Sequence, residues 1–208
     1  TIDYPMASIR FHKFAIEGMQ DIQKQTEKSK AFYFPYVEEK RGVADKLLVE
    51  LAKNAAVVIT DDYPTYFVPQ MTAEAKGSIQ TTYELVDSNG LLPIRIAEKE
   101  YVRAHDFRRF MHKNIEDFLV EVPEKDPLEY LNLKFDEKLL EPIFKKYELV
   151  DFNKVNTQDF LNNLNVDKSV EISDIVGGYN AAKSRLDLFA EKGFNDYSKL
   201  RSHPSEDA

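Results

Sequence analysis

Two short apolar runs, each followed at once by an acidic turn, constrain the fold of this chain more than any other feature. The runs are residues 56–60 (AVVIT) and 82–86 (TYELV). Short runs rich in β-branched and aromatic side chains, bounded by Asp, Asn, Pro and Gly, are typical of buried parallel strands. Residues 66–76 between them have a helical pattern and supply a crossover. The segment therefore predicts two neighbouring strands of a parallel sheet.

Polar residues follow both predicted strands, and they are Asp61, Asp62, Asp87, Ser88 and Asn89. The carboxyl ends of parallel strands form the ligand-binding edge of an open α/β sheet. These five residues are therefore a candidate ligand rim, where the carboxylates after the first strand would act as bases or hydrogen-bond acceptors. Acidic turn residues are also ordinary capping groups, so the sequence leaves both interpretations open.

Helical patterns precede the two strands. Residues 8–28 predict an amphipathic helix whose apolar positions, three and four apart, are Phe11, Phe14, Ala15, Gly18 and Ile22. A second helix is predicted at residues 41–54. The alternation of helices and strands predicts an α/β fold with a right-handed, doubly wound, mostly parallel sheet. Because such a domain begins with a strand, we expect the opening strand and its helix to lie upstream of Thr1.

Residues 30–37 (KAFYFPYV) favour a further strand, which Pro35 limits to an edge or a strand end. The aromatic residues of this segment are interpreted as sheet core or, alternatively, as a stacking platform. Gly77 follows the crossover helix and is predicted to end it as a left-handed C-cap.

The pattern changes after Pro93. The predicted helices beyond it lie at residues 102–120, 139–144 and 157–164, and from Gly177 and Gly178 to Gly193. We predict an α/β domain at residues 1–120, a connector at 121–170 and the first helices of an all-α domain at 171–208.

Composition excludes several classes of function. The chain has 208 residues, of which 43% are hydrophobic, enough for one large domain with a core. It has no cysteine, which excludes disulfides, thiol catalysis and cysteine-ligated metals. The net charge of −8 argues against the chain as a whole wrapping nucleic acid. No apolar run is long enough to span a bilayer, so we expect no membrane contact. The lack of cysteine is compatible with a cytoplasmic protein, which is the location we expect.

Common catalytic motifs are absent: the chain has no P-loop, no G-x-G-x-x-G, no nucleophile elbow and no H-E-x-x-H. His105 and His112 share one predicted helix but lie two turns apart, too far for a chelating pair, so we predict no metal site. No residue is predicted to be catalytic. The basic residues Arg103, Arg108, Arg109 and Lys113 of that helix would either bind phosphate or form its solvated face.

Three stretches resemble the N-terminal part of class II DNA photolyases and related photolyase–cryptochrome flavoproteins. Residues 4–18 (YPMASIRFHKFAIEG) are similar to that family's helix after its second strand. Residues 58–61 (VITD) and 86–93 (VDSNGLLP) resemble its later strands and its signature of Asp, Asn and Pro. Residues 177–204 look like the entry to its flavin-binding domain.

The resemblance implies a Rossmann-like antenna domain and, within it, a place for a light-harvesting pigment of the deazaflavin or folate type. It also implies an enzyme in which reduced FAD, excited by light, repairs cyclobutane pyrimidine dimers by electron transfer. In that family a tyrosine at the position of Tyr197 contacts the flavin, and an arginine at the position of Arg201 contacts DNA.

This chain stops before that family's flavin-phosphate loop and lacks tryptophan. We therefore expect a fragment that is inactive alone and carries no FAD. The damaged DNA would be bound through the missing C-terminal domain, and apolar surface left uncovered would promote self-association. Alternatives are a non-repairing cryptochrome-like sensor and another α/β module that binds a nucleotide or pigment.

Overall fold

The computed structural model describes residues 6–40, 42–132, 135–153, 157–203 and Ser205. Its helices are α1 (Ile9–Thr26), α2 (Leu47–Ala52), α3 (Val68–Ser78), α4 (Ala104–Asn114), α5 (Glu141–Phe144), α6 (Thr157–Asn163), α7 (Tyr179–Leu188) and α8 (Tyr197–Leu200). Its strands are β1 (Val57–Asp61) and β2 (Thr82–Val86). Short 3-10 turns lie at Ile94–Ile96, Ile115–Phe118, Pro127–Tyr130 and Glu137–Leu140, and a π-helical turn lies at Phe189–Gly193.

The chain divides into two compact units. The helical unit comprises Thr1–Ala44, Leu128–Asp136 and Phe144–Ala208, and the sheet unit comprises Asp45–Pro127 and Glu137–Ile143. Residues 1–44, which precede the two strands, thus belong to the helical unit, together with the C-terminal helices. The boundaries at residues 120 and 170 remain sequence predictions.

The sheet unit contains the two strands that the apolar runs predict. They pair in parallel, with Val57 opposite Thr82 and Asp61 opposite Val86. Helix α3 forms the crossover, and it contacts α2. The described part of the chain is therefore a mixed α/β structure with a small parallel sheet.

The prediction that both strands are buried is wrong. Ile59 of β1 is 59% exposed and Val86 of β2 is 50% exposed. A parallel sheet is normally covered on both faces. In the described residues of the sheet unit, α2 contacts the crossover helix α3, while Val57, Ile59 and Val86 remain at the surface.

The predicted strand at residues 30–37 is also wrong, because this segment forms no sheet ladder in the described chain. Its backbone makes a single contact of the ladder type, in which Val150 donates its N–H to the Pro35 carbonyl at 2.8 Å. Its aromatic rings pack against the connector instead of a sheet. The distances between ring centroids are 4.9 Å for Phe32 and Phe135, 6.1 Å for Phe34 and Phe144, and 5.9 Å for Tyr36 and Tyr147.

Helix α1 forms where its periodicity predicts, but its buried side is not the predicted one. Ile9 and Ile16 are buried with Leu161 and Leu164 in the core of the helical unit. The predicted apolar side is largely at the surface, since Phe11 is 60% exposed and Phe14 is 52% exposed. Ile9 and Ile16, on the side of α1 opposite Phe11 and Phe14, therefore define the face that packs.

Glycine predictions had mixed outcomes. Gly178 has φ of 100° and is the N-cap residue of α7, as its position before the helical pattern predicts. Gly77 is not a left-handed C-cap, because α3 continues through it to Ser78 and the next residue, Ile79, is extended. Other helices are shorter than predicted: residues 41–54 contain only α2, and α4 passes into a 3-10 turn after Asn114.

Candidate ligand-binding site

The carboxyl ends of β1 and β2 lie side by side at one edge of the sheet. Parallel pairing places the last residue of β1, Asp61, opposite the last residue of β2, Val86. Asp62 extends the contact, because its N–H donates to the Val86 carbonyl at 2.8 Å. The acidic turns that follow the strands are therefore neighbours in space, although they are 26 residues apart in the sequence (61 to 87).

Hydrogen bonds join the predicted rim residues to one another. The Ser88 hydroxyl donates to Asp61 Oδ1 at 2.5 Å, and Asn89 Nδ2 donates to the Asp62 carbonyl at 2.7 Å. Asp87 Oδ1 accepts bonds from the N–H and the side-chain amide of Asn89, at 3.2 and 3.1 Å. The structure therefore brings all five predicted residues together, in two adjacent hydrogen-bonded groups.

Asp87 shapes the turn after β2. Its Oδ2 accepts the Ile94 N–H at 2.6 Å, across the loop that contains Gly90 and Pro93. This backbone hydrogen bond, followed by those from Asn89, lowers the pKa of Asp87 below its ordinary value. An ionised Asp87 with these partners closes the loop, which is a capping role and not that of a base.

Arg95 is a rim residue that the sequence analysis did not single out. Its guanidinium makes a two-point contact with Asp62, in which Nη2 donates to Oδ1 at 2.8 Å and Nε donates to Oδ2. The hydrogen bond from Arg95 lowers the pKa of Asp62, and the same bond raises the pKa of Arg95. The Arg95 side chain is 73% exposed, so solvent screens this pair. The separation of 33 positions between the partners explains why no local pattern revealed the contact.

A cavity of about 450 Å³ opens between these strand ends and α3. Its lining residues are Asp62, Tyr63, Pro64, Pro69, Thr72, Ala73, Lys76, Leu85, Ile94 and Arg95. Of the five predicted rim residues, Asp62 lines this cavity, whereas the other four support the turns beside it. The walls combine apolar side chains with two cations, Lys76 and Arg95, against one carboxylate that is already paired.

This lining fits a small ligand with an apolar part and an acidic group. Binding cavities for small molecules are mostly apolar with a few polar groups that fix orientation, and they range over about 300–1,000 Å³. Lys76 has no hydrogen-bonded or ionic partner in the part of the chain that the structure describes, so its ammonium group is available to an anion. Asp62, which is held ionised by Arg95, would orient that guanidinium towards the same ligand.

The two predicted contact residues of the flavin domain lie at α8 in the helical unit. Tyr197 begins α8, is 46% exposed and packs its ring edge-on against Phe189 with centroids 5.7 Å apart. Arg201 is exposed one turn later, and its N–H donates to the Tyr197 carbonyl at 2.9 Å. Both side chains therefore reach the surface of the described chain. Their roles towards flavin and DNA stay predictions.

The described residues offer neither a metal cluster nor a membrane-spanning helix. They contain no group of three or more His, Asp or Glu side chains placed to hold a metal ion. Among the same residues, no helix combines the length and the apolar character needed to cross a bilayer.

Comparison with known proteins finds a relative among the photolyases. No protein-family model matches the chain. The chain does resemble the photolyases, over 98% of its own length, and this confirms the resemblance read from the three stretches. The relative is the deoxyribodipyrimidine photo-lyase of Methanothermobacter thermautotrophicus, which is 24% identical over 205 aligned residues. The chain spans 41% of the length of that relative.

Proposed function

We propose that this chain is the N-terminal region of a light-dependent deoxyribodipyrimidine photolyase. The observation that carries the proposal is the alignment with a photo-lyase over 98% of the chain. The protein containing this region would repair cyclobutane pyrimidine dimers in DNA, through the class II family that the three sequence stretches resemble. Reduced FAD, bound by the whole protein, would supply the light-excited electron that splits the dimer.

The sheet unit would serve as a Rossmann-like antenna domain. Support comes from its parallel strand pair, the α3 crossover and the polar rim at the carboxyl ends of the strands, which is the ligand edge of such sheets. The sheet of the whole protein would be larger than this strand pair. Additional strands and helices would also cover the exposed side chains of Ile59 and Val86.

The cavity beside α3 would hold the antenna pigment, of the deazaflavin or folate type. Such a pigment absorbs light and passes the energy on. Apolar residues such as Leu85 and Pro64 would pack against its rings, and Lys76 and Arg95 would bind an acidic substituent. The residues of the turns, from Asp87 to Asn89, would hold the cavity edge in place.

The helical unit would lead into the flavin-binding domain. Tyr197 would contact the flavin and Arg201 the damaged DNA, and their exposed positions one turn apart on α8 are compatible with both roles. Without the remaining helical domain, we expect the 208 residues to be inactive, to lack FAD and to self-associate through exposed apolar side chains such as Phe11 and Phe14. We place the whole protein in the cytoplasm.

The test uses the purified full-length protein that contains this region. Its absorption spectrum is recorded, and dimers in single-stranded DNA are counted with and without blue light. A flavin spectrum with light-dependent loss of dimers supports the photolyase proposal. A flavin spectrum without repair would identify a cryptochrome-like sensor instead. A protein without flavin would remove the family assignment and leave the α/β structure with its rim.

A further inference from the structure

Helix α4 carries a concentrated basic surface on a chain whose net charge is −8. The residues of this basic face are His105, Arg108, Arg109, His112 and Lys113, and all five are exposed. At 100° per residue they occupy one side of two helical turns. The basic face ends at the following 3-10 turn, where Glu116 and Asp117 stand. It is therefore a compact surface and not a general excess of lysine and arginine.

The cations of the basic face are unpaired in the described chain. Arg103, just before α4, pairs with Asp106 at 2.9 Å. In contrast, Arg108, Arg109 and Lys113 have no hydrogen-bonded or ionic side-chain partner among the residues that the structure describes. The usual solvated face of a helix alternates charges so that positions four apart attract. Here Arg109 and Lys113 are four apart and repel, which costs the isolated helix stability.

The opposite side of α4 is held by aromatic packing. The Tyr101 ring lies 5.6 Å from Phe107 and 5.3 Å from Phe110, centroid to centroid. Asn114 Nδ2 donates to the Phe110 carbonyl at 2.7 Å and closes the last turn. These contacts lie on the side of α4 opposite the basic face. The basic face is exposed to solvent, and the contacts that hold this helix in the described chain do not use its cations.

We propose that the basic face of α4 contacts the phosphate backbone of DNA. The proposal rests on the proposed photolyase function, which makes DNA the polyanion that the whole protein meets, and it adds a contact surface on the N-terminal region. Charge complementarity argues for it: the face offers three permanent cations in two turns, without intervening carboxylates. Arginine suits phosphate because its planar guanidinium can donate two parallel hydrogen bonds.

Contacts with the phosphate backbone make DNA affinity depend on salt concentration, and this dependence can be measured. Each neutralised phosphate of duplex DNA adds about 0.9 to the slope of log affinity against log salt. Removing Arg108, Arg109 and Lys113 together should therefore lower that slope by roughly 2.7. Between 50 and 200 mM salt, the wild-type protein should lose roughly 40-fold more affinity than the triple variant, since a fourfold salt change is raised to that power. The effect should be the same on damaged and undamaged DNA, because phosphates carry no lesion information.

The experiment measures DNA binding by the full-length protein in the dark, by fluorescence anisotropy over a salt series, with undamaged and dimer-containing duplexes. The test variant is Arg108→Gln/Arg109→Gln/Lys113→Gln. The charge-matched control is Lys24→Gln/Lys53→Gln/Lys125→Gln, three exposed lysines with no partner in the described chain. Arg108→Lys/Arg109→Lys keeps the charge. We expect the test variant to bind more weakly with the smaller slope, and the control and lysine variants to keep the wild-type slope.

Equal slopes for the test variant and the wild-type protein would overturn the proposal, and so would a wild-type protein that binds no DNA. Loss of binding to anionic lipid vesicles, with DNA binding unchanged, would overturn it in favour of a membrane surface. The proposed photolyase function is judged separately, by light-dependent loss of dimers at saturating DNA. A protein that repairs dimers but shows equal slopes refutes the basic face alone. One that shows the slope change without repair refutes the photolyase function alone.

Discussion

Gly177 permits the contact between α1 and the start of α7 in the helical unit. A Cβ atom on this residue would lie 2.9 Å from the carbonyl carbon of Phe14 and 3.1 Å from its Cα, and closer still to its carbonyl oxygen. These are backbone atoms within α1, so they cannot rotate away as a flexible side chain would. The Gly177 N–H also donates to the Glu17 carboxylate on α1, at 2.8 Å. Gly177→Ala must therefore separate the two segments.

The cost of Gly177→Ala can be worked from these two contacts. Overpacking of a tight site costs about 1–3 kcal/mol. Weakening a hydrogen bond to a charged group adds up to about 1.5 kcal/mol when the bond lengthens without breaking completely. We expect the free energy of unfolding of the helical unit to fall by about 2–4 kcal/mol.

The assay is hydrogen exchange of the 208-residue chain in increasing urea, because peptides from α1 and α7 report on the helical unit alone. The matched control is Gly77→Ala in α3, where nothing lies within 4 Å of the added Cβ. Alanine is the better helix former, so this control should stabilise α3 by about 0.5–1 kcal/mol. If α1 and α7 exchange equally in Gly177→Ala and the wild-type chain, the crossing is not as close as the structure places it.

Three other changes test the rim, the cavity and the core. Arg95→Gln should raise the pKa of Asp62 and lower the free energy of unfolding at neutral pH. Because the folded-state pKa of Asp62 is depressed below 3.8, the stabilisation by the pair is complete above the unfolded-state pKa and is lost as the pH falls through the folded-state pKa. The urea midpoints of the variant and the wild type should therefore converge below about pH 4. Unchanged midpoints at neutral pH would show that the pair of Asp62 and Arg95 does not stabilise the fold. Lys76→Gln in the full-length protein should weaken pigment retention in dialysis without changing the unfolding midpoint, and equal retention would place the pigment elsewhere. Ile16→Ala should lower the free energy of unfolding of the 208-residue chain by about 2–5 kcal/mol, whereas Phe11→Ala should lower it by less than half as much. The reverse order would show that the sequence-predicted face of α1 is the buried one.

The sheet could be predicted from sequence because its signals are local. Residues 56–60 and 82–86 carry β-branched side chains and are followed by turn residues. In the structure β1 is displaced from its run by one residue, and β2 coincides with its run. The convergence of Asp61, Asp87 and their neighbours followed from a general property of parallel strands. The cavity and the Arg95 contact depend on tertiary folding over 33 residues, which no periodicity records.

The wrong predictions have physical causes. The aromatic run at residues 30–37 has high strand propensity, but propensity for strands expresses fit to neighbouring strands, and here the rings fit the connector instead. In α1, two faces are apolar, one with Phe11 and Phe14 and the other with Ile9 and Ile16. Periodicity detects a helix in either case, but it does not select which face packs on Leu161 and Leu164.

Light-dependent repair by the full-length protein tests the central proposal most directly. A single-stranded oligonucleotide with one cyclobutane dimer is incubated with the reduced protein, half in blue light and half in the dark, and the intact dimer is quantified by chromatography. The proposal predicts that the dimer disappears only in the illuminated sample, and that each protein molecule repairs more than one dimer. A dimer that persists in the light, in a protein shown to contain reduced flavin, would contradict the photolyase function.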